Sequence, residues 1–576
     1  MATLTEKSKM KAGEKKKITG SEATILSLIE EGVDTIFGYP GGAIMPIYDA
    51  LYNYQDKVNH VLVRHEQGAT HAAQGYARVT DKVGVCFATS GPGATNLITG
   101  IADAQIDSTP MVCITGQVPA HLLGTDAFQE SDVLSISMPV TKWSFQVTTP
   151  EEIPYAIARA FYVAKSGRPG PVLIDITKNA QFGELDFEYK KCAKIRSYHP
   201  YPAIDMQKID EAAELINKAK KPYILAGHGV LISGAQEELK QLAEKAGIPV
   251  ANTLLGLSTF PTDNNLNVGF LGMHGNYGPN VKTNECDVLI AIGMRFDDRV
   301  TGDPSKYATN AKVIHIEIDP AEIDKIIKTD VAINADARQA LTELIEKIKP
   351  AKHEAWLQEF KDCEKIEYDK VIKKDLYPEG PEIRMAEVIR LINESSKDET
   401  ILVTDVGQHQ MVASRYFNFK YPKTNVTSGG LGTMGFALPA AMGSKVGQPD
   451  KQVVAIIGDG GFQMTIQELG TVFQYKIPIK IVVLNNNFLG MVRQWQQLFF
   501  DRRYSFTEMT NPDFIKIAEG YSIKGQKVAD RNDLLPAIEE MLAHDGPYLL
   551  EVKVEKEENV FPMVPSGDSV ANIRLD

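Results

Sequence analysis

The chain has 576 residues, a length that predicts about three to four domains of ordinary size. Hydrophobic residues make up 43% of it and charged residues 23%, a globular mixture that excludes collagens, largely disordered chains and small disulfide scaffolds. The 61 Lys and Arg residues against 74 Asp and Glu residues give a formal net charge of −13, which argues against general binding to nucleic acid or to anionic membranes. No stretch of about 18 consecutive apolar residues is present, so we predict no membrane-spanning helix.

The N-terminal residues and the cysteines bear on the cellular compartment. Residues 1–17 lack the apolar core of a secretory signal, and we predict a disordered leader there. The cysteines show neither CxxC nor paired spacing, which favours reduced structural thiols: Cys86, Cys113, Cys192, Cys286 and Cys363. These features together predict a cytoplasmic protein.

Short runs dense in Val, Ile and Leu alternate with helix-like segments along the chain. In chain order they occupy residues 35–42, 83–93, 110–117, 171–178, 223–229, 288–296, 313–320, 401–408, 453–461, 479–487 and 548–554. Such runs are typical of strands that are buried on both faces of a parallel sheet. Their alternation with helices predicts right-handed strand–helix–strand units.

Two charged stretches, residues 188–202 and 349–381, are predicted to be connectors. They divide the chain into three α/β units, each predicted to be a doubly wound parallel sheet, and a tail: residues 18–190, 200–347, 381–555 and 556–576. In such sheets ligands bind beyond the carboxyl ends of the strands, where the Gly-rich segments of this sequence occur. The first and last units could be distant copies, which the sequence alone does not show.

The strongest motif lies in the last unit. A predicted strand ends in Gly458-Asp459-Gly460, and the next predicted strand ends in three asparagines that include Asn486. Neighbouring parallel strands would place Asp459 and Asn486 side by side, and their oxygens suit a Mg²⁺ ion shared with phosphate groups. The glycines, Gly458 and Gly460, would let backbone N–H groups approach a diphosphate. The alternative interpretation is a simple glycine turn in which Asp459 caps a helix.

This GDG…NN arrangement resembles the thiamine diphosphate-dependent enzymes. The resemblance implies thiamine diphosphate and Mg²⁺ as cofactors, with Asp459, Asn486 and the carbonyl of Phe488 as metal ligands. It also implies that Glu66 hydrogen-bonds N1′ of the cofactor's aminopyrimidine, a role that requires shielding from water. Without the resemblance, Glu66 could cap a helix or pair with Arg64. In these enzymes the two halves of a site come from different subunits, so the resemblance implies a homodimer or homotetramer.

Six further segments, in order along the chain, make the resemblance closer: FGYPGGAIMPIYDAL, FATSGPGATN, GTDAFQE, GMRFDDRVTG, SGGLGTMGFALPAA and LGMVRQWQ. Together they are similar to the catalytic subunits of the acetohydroxyacid synthase (acetolactate synthase) family, over about residues 18–570. The resemblance implies an N-terminal pyrimidine-binding domain, a central FAD-associated domain, a C-terminal diphosphate- and Mg²⁺-binding domain, and a tail over the active site. It implies decarboxylation of pyruvate and transfer of the hydroxyethyl unit to pyruvate or 2-ketobutyrate, in branched-chain amino acid biosynthesis.

The resemblance also implies roles around the substrates. It places Gly42 and Ala43 beside the reacting carbon, Met434 under the bent cofactor, Met491 and Trp495 in the pocket for the second 2-ketoacid, and Phe128, Gln129, Pro119 and Lys178 at the entrance. A Trp in that pocket would favour an acceptor with an ethyl group, by a moderate factor. Taken alone, Met434 could be a simple gap filler and Trp495 an ordinary core residue.

The segment RFDDRVTG is the feature that implies FAD. By resemblance Arg295 contacts the flavin and faces the substrate channel, and further FAD contacts are implied at Gly227, Gly229, Asp319, Gln408, Gly429 and Gly430. A GxG turn alone is weak evidence, since a plain strand-to-helix turn has the same pattern. The implied reaction has no net redox change, so FAD would be structural.

Three other functions are alternatives for a chain of this kind: a pyruvate oxidase of the same fold, a catabolic acetolactate synthase without FAD, and a degenerate scaffold or regulatory subunit. RFDDRVTG and LGMVRQW argue against the oxidase, RFDDRVTG argues against the catabolic synthase, and the presence of Glu66, Asp459 and Asn486 argues against the scaffold. The family commonly works with a separate regulatory subunit, so we expect such a partner. The acceptor preference and the choice between dimer and tetramer stay open.

Overall fold

The computed structural model describes residues 16–576. They form three six-stranded parallel sheets, as predicted, and one two-stranded antiparallel ribbon. The predicted leader, residues 1–17, lies outside the described residues except for Lys16 and Lys17, which begin the first strand. Across residues 16–576, no helix is both long enough and apolar enough to cross a membrane. All five cysteines are free, as predicted for reduced thiols.

The first domain ends near residue 187. Its strands are β1 (Lys16–Thr19), β2 (Thr35–Gly38), β3 (Asn59–Leu62), β4 (Gly84–Ala88), β5 (Met111–Gln117), β6 (Trp143–Val147), β7 (Pro171–Thr177) and β8 (Glu184–Phe187). Its helices are α1 (Gly20–Glu30), α2 (Met45–Tyr52), α3 (Glu66–Thr80), α4 (Pro92–Asn96), α5 (Ile98–Ile106), α6 (Val133–Ser137), α7 (Glu152–Lys165) and α8 (Lys178–Phe182). The sheet has the order β3-β2-β4-β5-β7-β6, and β1 pairs with β8.

The second domain has a sheet with the order β11-β10-β9-β12-β13-β14, formed by β9 (Pro222–Ala226), β10 (Val250–Asn252), β11 (Asn267–Phe270), β12 (Val288–Ile292), β13 (Lys312–Glu317) and β14 (Val331–Asn334). Its helices are α9 (Met206–Lys218), α10 (His228–Ile232), α11 (Gln236–Ala246), α12 (Tyr277–Thr283), α13 (Asp298–Thr301) and α14 (Ala337–Lys347). The central strands are buried along their whole length, as expected for a sheet covered by helices on both faces.

The predicted connectors differ from each other. Residues 188–202 are almost free of regular structure, whereas the stretch 349–381 is largely helical, which corrects its interpretation as a plain connector. It contains α15 (Glu354–Glu367), a π-helical turn (Tyr368–Ile372) and α16 (Lys373–Leu376). Helix α15 packs on the second domain because its buried Trp356 and Phe360 face that core.

The third domain has a sheet with the order β16-β15-β17-β18-β20-β19, formed by β15 (Ile401–Thr404), β16 (Asn425–Thr427), β17 (Val453–Gly458), β18 (Lys480–Asn485), β19 (Lys524–Val528) and β20 (Tyr548–Lys553). Its helices are α17 (Met385–Ser395), α18 (Gln408–Tyr416), α19 (Ala437–Gly447), α20 (Asp459–Met464), α21 (Leu469–Tyr475), α22 (Gly490–Phe499), α23 (Phe514–Gly520) and α24 (Leu534–Ala543). The segment after the GDG motif is thus two short helices joined by a 3₁₀ turn, not one helix.

The strand orders reveal a relationship that the sequence alone does not show. Numbered within each domain, the parallel sheets of the first and third domains have the same order, 2-1-3-4-6-5, whereas the second domain has the order 3-2-1-4-5-6. In such sheets the connections leave on opposite faces at one point, and the crevice there binds ligands. This point lies between β2 and β4, between β9 and β12, and between β15 and β17.

The first and third domains share one hydrophobic core. Helices α3 and α19 approach so closely that a Cβ on Gly75 would lie 2.0 Å from the carbonyl oxygen of Ala440, and one on Gly443 would lie 1.8 Å from that of Ala72. Glycines at these crossing points are therefore required for the contact. Buried apolar residues of both domains form one shared cluster around it, and each domain also has a second cluster away from this contact.

Candidate active site

A cleft opens at the switch point between β15 and β17. Its walls are the ends of these strands, the start of α18, the loop that carries Met434, and the segment between β18 and α22, with these lining residues among others: Gly407, Gln408, His409, Met434, Gly458, Asp459, Gly460, Asn486, Phe488 and Met491. Strands β17 and β18 are neighbours in parallel register, with Gly458 opposite Leu484. The structure therefore brings Asp459 and Asn486 to one cleft, as the sequence predicted.

Asp459 is the first residue of α20 and is buried. Its Oδ1 accepts a hydrogen bond from the N–H of Gly460 (3.1 Å), and its Oδ2 accepts one from Nδ2 of Asn511 (2.6 Å). Burial raises the pKa of the Asp459 carboxyl, so a cation beside it would favour the ionised form. The helix cap is Gly458, which makes the alternative of Asp459 as the capping residue wrong.

Asn486 and Phe488 begin the loop before α22. The Oδ1 of Asn486 accepts from the N–H of Phe488 (3.1 Å), which folds the loop back towards the cleft. Residues 16–576 contain no cluster of three or more His, Cys, Asp or Glu side chains that could hold a metal by themselves. One carboxylate, one amide and one carbonyl fit Mg²⁺, because this ion commonly takes few protein ligands and completes its shell with phosphate and water.

Gln408, for which the resemblance implies a flavin contact, lies in this cleft. Its Nε2 donates to Oε1 of Gln494 (2.9 Å) and to the carbonyl of Glu558 (2.7 Å), and its Oε1 accepts from Nδ2 of Asn486 (3.4 Å). A Cβ on Gly490 would lie 2.1 Å from that Oε1. Gln408 therefore supports the metal-side loop.

Two buried residues that the sequence analysis missed shape the same cleft. The carboxylate of Asp405 accepts from the N–H groups of Gly435 (3.0 Å) and Ala437 (3.0 Å), which fixes the turn after Met434. Burial raises the pKa of Asp405 to about 6. Burial also lowers the pKa of His409 to about 3, so the ring is neutral and its Nε2 accepts from the N–H of Gly458 (3.3 Å). Their position directly after the strand run of residues 401–404 was the available signal.

The second half-site lies at the switch point of the first domain. Glu66 begins α3 with only 8% of its surface exposed, so it has the shielding that its predicted role requires. Its Oε2 accepts from Nδ2 of Asn96 (2.9 Å), a residue that the sequence analysis did not single out. The backbone before it is held by the third domain, because the N–H of Arg64 donates to the carboxylate of Glu468 (3.0 Å).

Other predicted residues surround this half-site. A Cβ on Gly93 would lie 3.2 Å from Oε1 of Glu66, and one on Gly91 would lie 2.8 Å from the carbonyl of Gln129, so bare backbone lines the edge. Gly42 is exposed and has open space around it, and Phe128 is 88% exposed. Lys178, half-buried at the start of α8, and Pro119 lie beyond the ends of β7 and β5.

The pocket predicted for the second substrate lies along α22. Met491 lines the cleft, and Trp495 one turn later stacks against Phe499 (5.4 Å between ring centroids) with the Arg299 guanidinium 5.9 Å from its ring. Trp495 is half-buried and is not an ordinary core residue. The helix faces the RFDDR segment of the second domain through this contact.

The C-terminal tail is fastened to α22 and to the second domain. Gln494 exchanges two hydrogen bonds with the backbone of Val560 (2.9 and 3.1 Å), and the buried Arg493 donates to Oδ1 of Asn559 (2.9 Å). Further on, the N–H of Val564 donates to the carbonyl of Met273 (2.8 Å). The tail therefore runs from the cleft-forming helix to the neighbouring domain.

The predicted FAD contacts divide into two groups. Gly227 and Gly229 lie at the switch point between β9 and β12, where a Cβ on either would collide with Gly293. Their N–H groups donate to the carbonyls of Ile292 (2.9 Å) and Gly293 (2.8 Å), so these glycines serve the close approach of the strand ends and offer no free amide. Asp319 accepts from Nη1 of Arg168 (3.2 Å), which ties the second domain to the first.

Arg295 and Gly430, by contrast, come together as expected. A Cβ on Gly430 would lie 3.1 Å from Nη2 of Arg295, whose ion pair with Asp297 is long at 3.8 Å. The guanidinium is therefore available to a ligand at the junction of the second and third domains. Since the second sheet has the 3-2-1-4-5-6 order of dinucleotide-binding folds, its switch point fits a dinucleotide such as FAD.

Three family models match the chain, one for each domain. The thiamine pyrophosphate enzyme N-terminal TPP binding domain matches residues 18–136, the central domain residues 209–344, and the C-terminal TPP binding domain residues 405–552. The two matched TPP binding domains are those with the same strand order and the two half-sites.

Relatives along the whole chain define the family more closely. The acetolactate synthase large subunit of Corynebacterium glutamicum is 48% identical over 100% of this chain and 92% of that protein. The isozyme 2 large subunit of Escherichia coli is 46% identical over 96% of this chain and 98% of that protein, and a probable large subunit of Methanocaldococcus jannaschii is 47% identical over 96% and 95%. The chain belongs to the acetolactate synthase large subunits. It is accordingly a thiamine diphosphate-dependent enzyme, and the family and α/β fold predicted from the sequence are confirmed.

Proposed function

We propose that this chain makes 2-acetolactate from two molecules of pyruvate, and 2-aceto-2-hydroxybutyrate from pyruvate and 2-ketobutyrate. The observation that carries the proposal is the pair of half-sites, Glu66 with Asn96 and Asp459 with Asn486, each at the switch point of a TPP binding domain. The scaffold alternative is disfavoured because each group needed for chemistry is in place.

Mg²⁺ and the diphosphate are assigned to the cleft of the third domain. Asp459, Asn486 and the carbonyl of Phe488 would hold the ion, and Asn511 and Gln408 orient the first two through hydrogen bonds. When bound, thiamine diphosphate supplies the nucleophilic thiazolium carbon and the electron sink that a 2-ketoacid needs to lose carbon dioxide. Met434 lines the same cleft and would support the cofactor between its two rings.

Glu66 is assigned the proton at N1′ of the aminopyrimidine. Asn96 occupies its Oε2, which leaves Oε1 beside the bare backbone of Gly93 for the cofactor. A shielded carboxyl in this place holds a proton at a fixed atom, the task of a general acid–base group. The two half-sites lie in different domains. Among the described residues, none of the first domain lines the cleft of the third domain. We therefore propose a homodimer or homotetramer in which one subunit completes the other's site.

The remaining assignments concern water and the second substrate. Trp495 and Met491 would accept the side chain of the second 2-ketoacid, with Arg295 placed for its carboxylate or for the flavin. The tail, by its bonds to α22, would exclude water, whose proton would otherwise divert the reaction to simple decarboxylation. FAD is proposed at the switch point of the second domain as a structural cofactor. The free thiols support a cytoplasmic location.

Product analysis tests this proposal. The purified chain is mixed with thiamine diphosphate, Mg²⁺, FAD and pyruvate, with and without 2-ketobutyrate, and the products are identified by NMR. We expect acetolactate, and acetohydroxybutyrate when the second acid is present. Acetaldehyde alone, or acetate with reduced flavin, would contradict the synthase assignment. No turnover with the cofactors bound would favour the scaffold.

A separate regulatory subunit is proposed as a partner because the relatives are large subunits. Feedback inhibition would then depend on that subunit. Adding valine to the isolated chain should leave its rate unchanged, and strong inhibition would contradict the proposal.

A further inference from the structure

The loop that carries Met434 is held by charged side chains of the first domain. Residues 427–436 connect β16 to α19 in the third domain, and Arg78, Asp103 and Asp107 reach them from α3 and the end of α5. All three charged side chains are largely buried in this contact. The family resemblance assigns no role to them.

Asp107 binds the start of the loop. Its Oδ2 accepts from the N–H of Gly429 (2.8 Å) and its Oδ1 from the N–H of Gly430 (2.7 Å). The Arg78 guanidinium pairs with Oδ2 at 2.8 Å and also donates to the carbonyl of Thr427. The backbone of Asp107 touches the second domain, since its carbonyl lies 3.1 Å from Nδ1 of His228. All three domains therefore meet at Asp107.

Asp103, one turn earlier on α5, joins the start of the loop to the segment just before Met434. Its Oδ1 accepts from the hydroxyl groups of Ser428 (2.5 Å) and Thr433 (2.9 Å), and Ser428 in turn accepts from the N–H of Thr433 (2.8 Å). Its Oδ2 has no hydrogen-bond partner among the described residues. A buried carboxylate with one unsatisfied oxygen is costly, and its persistence in a well-packed junction calls for a reason beyond packing.

The reason that we infer is the position of Met434, which directly follows Thr433, one of the two partners of Asp103. Thr433 precedes Met434, and the next N–H, that of Gly435, donates to Asp405 from the other side. The residues on either side of Met434 are thus held by two carboxylates: Thr433 by Asp103 of the first domain and Gly435 by Asp405 of the third. A Cβ on Gly460 of the GDG motif would lie 3.5 Å from the Met434 methyl group.

We propose that Asp103 is a positioning residue for cofactor binding: it fixes Thr433, and through it Met434, at the wall of the cleft. The inference rests on the proposed cofactor site, because it takes thiamine diphosphate as the ligand that Met434 supports. In this arrangement the first domain contributes twice, with Glu66 at its own half-site and with Asp103 at the half-site of the third domain.

The test is the affinity of the full-length protein for thiamine diphosphate at saturating Mg²⁺, followed by tryptophan fluorescence. Asp103→Leu removes the acceptor for two hydroxyl groups, and we expect the dissociation constant to rise about tenfold or more. Asp103→Asn keeps an acceptor oxygen, and we expect it to restore the affinity to within about threefold of wild type. A purely structural role would not produce this rescue pattern in cofactor affinity.

Asp175→Leu is the matched control. Asp175 is a fully buried carboxylate of the same domain, and its partners Thr115 (2.6 Å), Gln117 (3.0 Å) and Gln146 (2.9 Å) all belong to that domain. We expect this variant to lower the melting temperature as much as Asp103→Leu does, with unchanged cofactor affinity. Equal losses of affinity in both variants would overturn the inference.

Two further variants keep the inference testable if Asp103→Leu fails to fold. The double variant Ser428→Ala with Thr433→Val removes the two donors and should weaken binding to a similar extent. Adding Met434→Ala to that double variant should cost little more than Met434→Ala alone, because interacting residues are non-additive. Unchanged affinity in the double variant, or full additivity with Met434→Ala, would overturn the inference. A wild-type protein that binds no thiamine diphosphate would instead refute the proposed function itself.

Discussion

The two half-sites sit on sheets of the same strand order and differ in how much of them is covered. In the third domain, Asp459 and Asn486 lie in a cleft in which α18, α22 and the loop of residues 427–436 surround them. In the first domain, Glu66 is shielded, but Gly42 and Phe128, which the sequence assigns to the same half-site, face open space. The half-site of the third domain is enclosed by segments of its own domain, and that of the first domain has an open edge.

Under the proposed assignment, this difference would let one fold serve two tasks. A diphosphate with a divalent cation needs many fixed polar groups, and these come from segments that the third domain folds over its own switch point. An aminopyrimidine needs one shielded carboxyl, for which Glu66 is proposed at the more open edge of the first domain.

Replacing the carboxyl of the open half-site should have the largest effect. In Glu66→Gln the side chain keeps its size and its bond to Asn96 but cannot exchange a proton at N1′. We expect acetolactate formation to fall by a factor on the order of 10² to 10⁴, with thiamine diphosphate affinity changed little. NMR of the thiazolium C2 proton should show slowed exchange, and a variant with normal exchange and normal turnover would contradict the assignment of Glu66.

Mixing two inactive variants tests whether the half-sites belong to different subunits. Glu66→Gln spoils one half-site and Asp459→Asn the other, so a mixed dimer would hold one intact site and one doubly spoiled site. Co-expressed chains should recover about a quarter of the wild-type activity if subunits pair at random. Either variant expressed alone is the control. Absence of recovery, in protein shown to contain both chains, would contradict shared sites.

Shortening the side chain over the second-substrate pocket should have an intermediate effect. Trp495→Leu removes aromatic contact area for an ethyl group, and we expect the ratio of acetohydroxybutyrate to acetolactate to fall about tenfold at a fixed ratio of substrates. Phe499→Leu is the matched control, because Phe499 packs on Trp495 from its exposed side. The same product ratio in Trp495→Leu as in wild type would contradict the assignment of Trp495 to the second-substrate pocket.

The smallest effect concerns the tail and pH. Burial raises the pKa of Glu558 to about 8, with Arg384 acting in the opposite direction. Between the ordinary pKa of a glutamate and pH 8 the folded protein binds a proton that the unfolded chain releases, so this residue's contribution to stability falls as pH rises. The free energy of unfolding of Glu558→Gln should therefore rise relative to that of wild type between pH 5.5 and pH 8, by at most about 1.4 kcal/mol per pH unit. The melting temperatures of the two proteins, measured across this pH range, should show the same trend.

Glu555→Gln is the control for that experiment. Glu555 also pairs with Arg384 (3.2 Å) but is one-third exposed, so its replacement tests the loss of an ion pair without the burial. A difference between Glu558→Gln and wild type that stays constant with pH would contradict the raised pKa of Glu558.

The sequence predicted most of the strands inside the sheets, and it missed the short inner strand β10 and edge strands such as β6 and β19. Each central run that we identified, from β2 to β20, forms a strand, because burial on both faces demands continuous Val, Ile and Leu. The edge strands β6 and β19 escaped, because their residues are only partly buried and include polar side chains. The helices in the stretch 349–381 were not predicted, because the stretch has many charged residues and buries only a few side chains, such as Trp356.

Among the site residues, those in short local motifs were found and those that act through distant contacts were not. Glycines, Asp459 and Asn486 follow predicted strands directly, so the rule for strand ends locates them. Asn96 hydrogen-bonds Glu66 from 30 residues away in the sequence, and Asn511 hydrogen-bonds Asp459 from 52 residues away. The sequence likewise does not reveal that the side chain of Gln408 accepts a hydrogen bond from Asn486, 78 residues away.

By itself the sequence determined the family, the three parallel sheets and the chemistry of the groups at their edges, because buried strands and the turns that follow them are encoded over a few adjacent residues. The tertiary structure alone decided which edges face one another. The glycine contacts of α3 with α19 fix the first domain on the third, and that docking places Asp103 and Asp107 beneath the loop of Met434 while leaving Gly42 and Phe128 exposed. Such placements depend on residues more than 300 positions apart, whose contacts only the folded chain creates.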